Sequence, residues 1–153
     1  MQLTDPRLIG DVAHALRTSG LPPEALILEL TENALEGDVG DAAYALWQLR
    51  DLGVQLAIDD FGTGYSSLNR LRELPFDVLK IDRSFVAGLS DERHRSLLCA
   101  ILGLANSLGL ETVAEGIETE AQRDFLRTQS CHLGQGYLLG RPAPATHRTT
   151  GRE

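Results

Sequence analysis

Ile58-Asp59-Asp60-Phe61-Gly62-Thr63-Gly64-Tyr65-Ser66-Ser67-Leu68 carries the densest chemistry in the chain. It closes an apolar run, Val54-Gln55-Leu56-Ala57-Ile58, whose length and composition predict a buried strand. Two aspartates follow at once, then glycines bracketing a threonine, then serines able to cap a new helix. Adjacent like charges repel unless something positive lies between them. Carboxylate oxygens grouped in this way suit Mg²⁺ or Mn²⁺. Taken alone, an Asp-Asp-x-Gly segment is more often an acidic surface turn at a strand end. Its neighbours along the chain point the other way.

Working outward, strands and helices alternate. Asp5-Pro6 has the form of a helix start, with Leu8, Val12 and Leu16 on one face, and Gly20 followed by Pro22-Pro23 ends that helix. Leu26-Ile27-Leu28-Glu29-Leu30 reads as a short buried strand, and a helix from about Asp38 to Leu52 stops at Gly53. After the aspartates, Ser66 or Ser67 caps a short helix that ends at Leu74, before Pro75. Val78-Leu79-Lys80-Ile81 is the next strand, and a long helix covers roughly Asp91 to Leu108. Glu111-Thr112-Val113-Ala114-Glu115 follows as a strand, and Thr119-Glu120-Ala121-Gln122 has the form of a capping box. Gly136-Tyr137-Leu138-Leu139 is read as the fifth strand, and the chain frays from Ala143 on. Alternation at intervals of roughly 22 to 33 residues predicts an α/β fold of parallel strands with crossover helices, of the (β/α) barrel kind.

Each strand is apolar until its C-terminal end, where one hydrophilic residue appears: Glu29, Asp59 with Asp60, Lys80 and Glu115, with Gln135 beside the last strand. In a parallel barrel those ends share one rim, where such folds build their sites. Any one of these residues alone would be a solvated strand end, and Lys80 alone an ordinary ion pair. Together, four carboxylates and a lysine converging on one rim predict a metal cage with a positive partner.

Bulk properties narrow the function. At 153 residues the chain holds one domain, and its hydrophobic and charged fractions, 42% and 24%, are those of a soluble globular protein. A net charge of −8 argues against a nucleic acid polymer or an anionic membrane as partner, so an anionic substrate needs local cations. Cys99 and Cys131 lack metal-type spacing and are read as reduced thiols of a cytoplasmic protein. The start, Met1-Gln2-Leu3-Thr4-Asp5, has no basic leader region, and the most apolar stretch, Leu97 to Leu110, is interrupted by Asn106 and Ser107.

At this point the motifs are recognisable. Leu28-Glu29-Leu30-Thr31-Glu32, Asp59 through Leu68, Lys80-Ile81-Asp82-Arg83-Ser84-Phe85, Ala114-Glu115-Gly116-Ile117-Glu118 and Gln135-Gly136-Tyr137-Leu138-Leu139-Gly140-Arg141-Pro142 together resemble the EAL family. These are bacterial phosphodiesterases that linearise cyclic di-GMP to pGpG. The resemblance covers residues 1 to about 144 and leaves 145–153 as a tail. It implies a modified (β/α)8 barrel with two Mg²⁺ or Mn²⁺ ions, of which this chain supplies about five of the eight βα units. It implies Glu29, Asp59 and Asp60 as metal ligands, and Lys80 as the cation beside water and phosphate. It further implies Glu115 as the carboxylate serving the water, and Gln135 as a polar contact near it. Glu32 matches a residue that fastens the loop after Asp60 through Thr63 and Gly64. Cyclic di-GMP is the implied partner, with a homodimer through the loop after Asp60.

The chain also departs from the family pattern. The signature Glu-Ala-Leu-x-Arg and an Asn-x-Ser segment are expected upstream of Met1, so two metal ligands are missing from this set. Glu24-Ala25-Leu26 is a decoy, because it lacks the x-Arg continuation and lies where its strand begins. The chain therefore reads as the C-terminal part of an EAL domain: a gene fragment, a late start or a degenerate module. Its competing functions are the larger share of the site of a phosphodiesterase whose full-length form is active, this chain alone being inactive, and a non-catalytic module for nucleotide binding or protein contact. Another metal-dependent barrel hydrolase or lyase is the remote third.

Overall fold

The structure, a computed structural model, describes residues 3, 5–32, 39–62 and 68–143, without the side chains of 39, 41 and 68–70. Its strands are β1 (Ile27–Thr31), β2 (Gln55–Phe61), β3 (Val78–Ile81), β4 (Glu111–Ala114) and β5 (Leu133–Gly134). They form one sheet, every neighbouring pair parallel, in the order β1-β2-β3-β4-β5. Helices α1 (Leu8–Ser19), α2 (Val39–Asp51), α3 (Leu68–Glu73), α4 (Arg83–Ala87), α5 (Glu92–Ser107) and α6 (Glu120–Thr128) precede or link the strands. Strands laid down in chain order with helical crossovers are the arrangement of a parallel barrel.

The register fixes which side chains meet. Glu29 pairs with Ala57, Ala57 with Val78, Lys80 with Val113, and Val113 with Leu133. Side chains two apart on a strand share a face. The odd-numbered residues of β1, of β2 as far as Asp59, of β4 and of β5 therefore line up with Val78 and Lys80 on the inner face. The other face carries Leu56, Ile58, Leu79, Ile81, Thr112 and Ala114, each no more than 3% exposed. With Leu46 and Leu49 of α2, Val86 of α4 and Leu98 and Leu102 of α5, the apolar residues of this face form the main core.

Local signals account for most of the helices. Asp91 caps α5, accepting bonds from the N–H groups of Arg93 and His94. Thr119 and Gln122 form the capping box of α6 with both reciprocal bonds. Gly20 closes α1 in the left-handed conformation that glycine adopts without a Cβ penalty. Among the described residues, no helix is long and apolar enough to cross a membrane.

Four expectations need correction. The helix after Asp5-Pro6 begins only at Leu8, because Asp5 spends its carboxylate on the N–H and guanidinium of Arg7. β1 is not a buried strand: Leu30 alone is buried, and Ile27 is 44% exposed, since β1 is an edge of the described sheet. The fifth strand is Leu133–Gly134, and the apolar run 136–139 turns away instead, with the Leu139 and Gly140 N–H groups donating to the Gly136 carbonyl. α4, a single turn or so capped by Asp82, lies between β3 and α5 where no helix was expected. The predicted serine caps at Ser66 and Ser67 lie outside the described residues.

Candidate functional site

The inner face converges on Lys80. Its Nζ lies 2.8 Å from Glu29 Oε2, 3.1 Å from Asp59 Oδ1 and 2.8 Å from Glu115 Oε1. One ammonium from β3 thus bridges carboxylates from β1 and β2 and from the residue after β4. Gln135 follows β5, and its Nε2 donates to the same Glu115 Oε1 at 3.0 Å. Glu29 and Lys80 are mid-strand residues rather than strand ends, and alternation explains how they still share one face with Asp59 and Glu115.

The Lys80 side chain is only 8% exposed, against 18% for Glu115, 21% for Asp59 and 50% for Glu29. Burial works against its charge. Hydrogen bonds to Glu115, then Glu29 and Asp59, outweigh that penalty and raise its pKa above the ordinary lysine value. Lys80 is therefore a fixed cation at the centre of an acidic face.

Asp60 sits at an irregularity of β2. Between Ile58 and Phe61 of β2 there is one residue more than between Leu79 and Ile81 of β3, which makes a β-bulge. Asp60 occupies it with φ +56, its N–H donating to Asp59 Oδ1 at 3.0 Å. The bulge breaks the alternation that would send adjacent aspartates to opposite faces. Gly62 follows with φ +92, and a Cβ there would lie 2.7 Å from Cζ of Phe85. The buried ring of Phe85, on α4, is thus the seat of the turn that leaves Asp60. Periodicity could not disclose this role, because α4 itself was not foreseen. Glu32 lies just past β1, whereas Thr63 and Gly64 lie outside the described residues.

A cleft of about 620 Å³ opens beside Glu115 and Gln135, lined among others by Arg83, Glu118, Tyr137 and Arg141. Arg141 lies over the Tyr137 ring, 4.7 Å from its centre, a cation–π contact. Arg83 and Arg141 were not among the expected site residues. Their signal was present in the sequence, in arginines just beyond a strand end and a glycine turn at the expected rim. Both bring positive charge to a mouth that also holds Glu115 and Glu118.

As a metal centre, the residues fit in kind and fall short in number. Glu29, Asp59 and Asp60 offer the hard oxygen donors that Mg²⁺ and Mn²⁺ take. Yet among the described residues no group of three or more His, Cys, Asp or Glu stands in a metal-holding arrangement. The decoy Glu24-Ala25-Leu26 forms a 3₁₀ turn and its exit ahead of β1, at the end of the strand away from Lys80 and Asp59.

The chain matches the EAL domain model over residues 1–142. It is 49% identical over 138 residues to the cyclic di-GMP phosphodiesterase NbdA of Pseudomonas aeruginosa, covering 90% of this chain and 18% of that protein. The structure superposes on the MucR phosphodiesterase of P. aeruginosa in its c-di-GMP complex, with a TM-score of 0.89 and 46% identity. That match covers 94% of this chain and 59% of the other. The manganese/cy-diGMP complex of Klebsiella pneumoniae BlrP1 gives a TM-score of 0.84 and 31% identity, over 92% of this chain and 36% of that one. The neighbours establish the partial barrel of EAL type that the resemblance implied, with the parallel strands that the alternation of elements predicted. The chain spans about a fifth of the length of the curated relatives it matches.

Proposed function

The chain belongs to the EAL domain family, and from that premise we propose that it carries the lysine-centred part of a cyclic di-GMP phosphodiesterase site, which cleaves the cyclic dinucleotide to pGpG. The observation that carries the reading is the Lys80 ammonium within 3.1 Å of carboxylates from three strand units. Glu29, Asp59 and Asp60 would hold the divalent cation, Mg²⁺ or Mn²⁺. When bound, such a cation lowers the pKa of water and neutralises charge on a phosphodiester.

The chain's own residues divide the remaining work. Glu115 Oε1 takes hydrogen bonds from Lys80 and Gln135. That fixes the carboxylate plane and leaves Oε2 to accept a proton from an attacking water. Lys80 keeps its proton throughout, so it acts by charge, offsetting the anionic phosphate in a face otherwise lined by carboxylates. Gln135 holds Glu115 without adding charge. The bulge at Asp60 and the seat of Gly62 on Phe85 set the angle at which the second aspartate is presented. Arg83 and Arg141 draw the anionic substrate toward a chain of net charge −8. The thiols Cys99 and Cys131 are unpaired, which suits the cytoplasm, and a homodimer through the loop after Asp60 belongs to the same reading.

By itself the chain should turn over cyclic di-GMP negligibly, because the family pattern places two more ligands ahead of these residues. The test joins the preceding segment of the MucR EAL domain to residues 1–153 and follows pGpG formation with Mn²⁺ by anion-exchange chromatography. Metal-dependent hydrolysis that falls at least about 100-fold in Glu115→Gln is expected. A folded chimaera that binds Mn²⁺ and the dinucleotide but forms no pGpG would sink the proposal.

A further inference from the structure

β5 is too short to hold itself in place. Only Val113↔Leu133 and Ala114↔Gly134 pair, and Leu133 is 51% exposed, so neither ladder nor burial anchors the segment strongly. Yet the residue that follows, Gln135, must reach Glu115 with hydrogen-bond accuracy.

Just ahead of β5 lies a polar clasp. Extending the β4–β5 register by one step sets Thr112 opposite His132, on the face of the sheet that packs against the helices. Thr112 is fully buried there. Its backbone N–H donates to His132 Nδ1 at 3.1 Å, and its Oγ1 lies 2.9 Å from the same nitrogen. The His132 N–H in turn donates to Thr112 Oγ1 at 3.1 Å. A nitrogen that receives a backbone N–H carries no proton, so the imidazole proton resides on Nε2. The clasp thus satisfies a hydroxyl sealed in the core and ties residue 132 to β4 through both main chain and side chain.

From the clasp the chain runs directly into the site. The Gln135 N–H donates to the Ala114 carbonyl at 2.8 Å, and its carbonyl accepts from the Ile117 N–H at 3.1 Å. Its side chain then reaches Glu115, and Glu115 reaches Lys80. Gly136 passes so close to the Ile117 main chain that no Cβ fits there, while Gly134 lies against the tip of the Ile117 side chain. The segment is therefore held at both ends, by the clasp before Gln135 and by Ile117 after it.

We propose that His132, acting through Nδ1 on Thr112, is a positioning residue that places Gln135 on Glu115. The inference adds a residue to the site proposed above and rests on that reading only for the role of Gln135. Its chemistry makes a sharp demand on the replacement. Asparagine can set its Oδ1 where Nδ1 accepts, whereas glutamine reaches only the Nε2 position and alanine neither.

The test uses the 153-residue chain without metal or nucleotide, so it stays independent of any activity. Amide hydrogen exchange and the Gln135 side-chain NH₂ resonances are followed by NMR in His132→Ala, His132→Gln and His132→Asn. In the Ala and Gln variants, exchange at Thr112 and Gln135 should rise about tenfold, the scale of one lost net hydrogen bond. The Gln135 NH₂ pair should also move to the position of a free glutamine, and His132→Asn should restore both. Amides of β2 and β3 should not change. Gln135 signals that stay put in His132→Ala overturn the proposal. So does an Asn variant that fails to rescue, or a rise in exchange spread evenly over β2 and β3, since each would make the clasp a general stabiliser. Loss of the phosphodiesterase reading would leave this result standing.

Discussion

Replacing Lys80 by methionine removes the ammonium and keeps the aliphatic stem. Three contacts are lost, and they are not equal. Glu29 is 50% exposed, so its bond is screened and belongs to the surface class, worth about 0–1 kcal/mol. Asp59 and Glu115, at 21% and 18%, lie between that class and fully buried pairs, whose breakage costs about 3–5 kcal/mol. Assigning each about 1–2 kcal/mol, adding the small Glu29 contribution, and subtracting the desolvation that the neutral side chain avoids gives a net loss of about 1–4 kcal/mol. The deeper cause is what remains: three carboxylates facing one another with no cation among them.

Urea unfolding of both proteins at pH 7 and low protein concentration reads this directly, provided the m-values agree. A double-mutant cycle with Glu115→Gln isolates the shortest partly buried contact, and a coupling of about 1–2 kcal/mol is expected. Sodium chloride at 1 M should remove only the minor part, because screening acts least on groups withdrawn from solvent. A destabilisation below about 0.5 kcal/mol, or a coupling near zero, would show that the carboxylates do not depend on Lys80, and the lysine-centred account would fall.

Three further outcomes follow from the same geometry. Mn²⁺ titrated by calorimetry should bind the wild-type chain weakly and Asp59→Asn more weakly still; equal affinity would remove Asp59 from the ligand set. Because the folded pKa of Lys80 lies above its ordinary 10.5, its stabilisation is fully present below that pH and is lost as pH rises through the folded value. The stability gap between wild type and Lys80→Met should therefore hold from pH 8 to about 10 and shrink above it, and a gap that shrinks toward pH 8 would contradict the sign. Ile27 and Leu133, 44% and 51% exposed, are inner-face side chains on the two edge strands. Exposed apolar surface beside open edges favours association, so sedimentation velocity should show concentration-dependent oligomers that Ile27→Lys reduces, and a monomer at all concentrations would refute this.

The sequence disclosed what each strand or helix says about itself. Apolar runs located β2, β3 and β4, Thr119 and Gln122 announced their capping box, and Gly20, Gly53 and Gly109 marked helix ends, all now at positive φ. It misplaced β5 because Leu133-Gly134 has no strand signature, whereas Gly136-Tyr137-Leu138-Leu139 has one and is bent by packing against Ile117. The Lys80 cluster was legible as a set of residue types, misread as strand ends for Glu29 and Lys80, and opaque as geometry. Glu29 and Lys80 are 51 residues apart, and their 2.8 Å contact depends on a register that neither strand encodes alone. The same holds for Asp59 and Asp60. Adjacent aspartates on a regular strand point apart, and the extra residue in β2 relative to β3 interrupts that alternation at Asp60. Periodicity is a property of one strand, while the bulge is a property of a pair. The chemistry of this face therefore hangs on the step that a single strand's pattern could not supply.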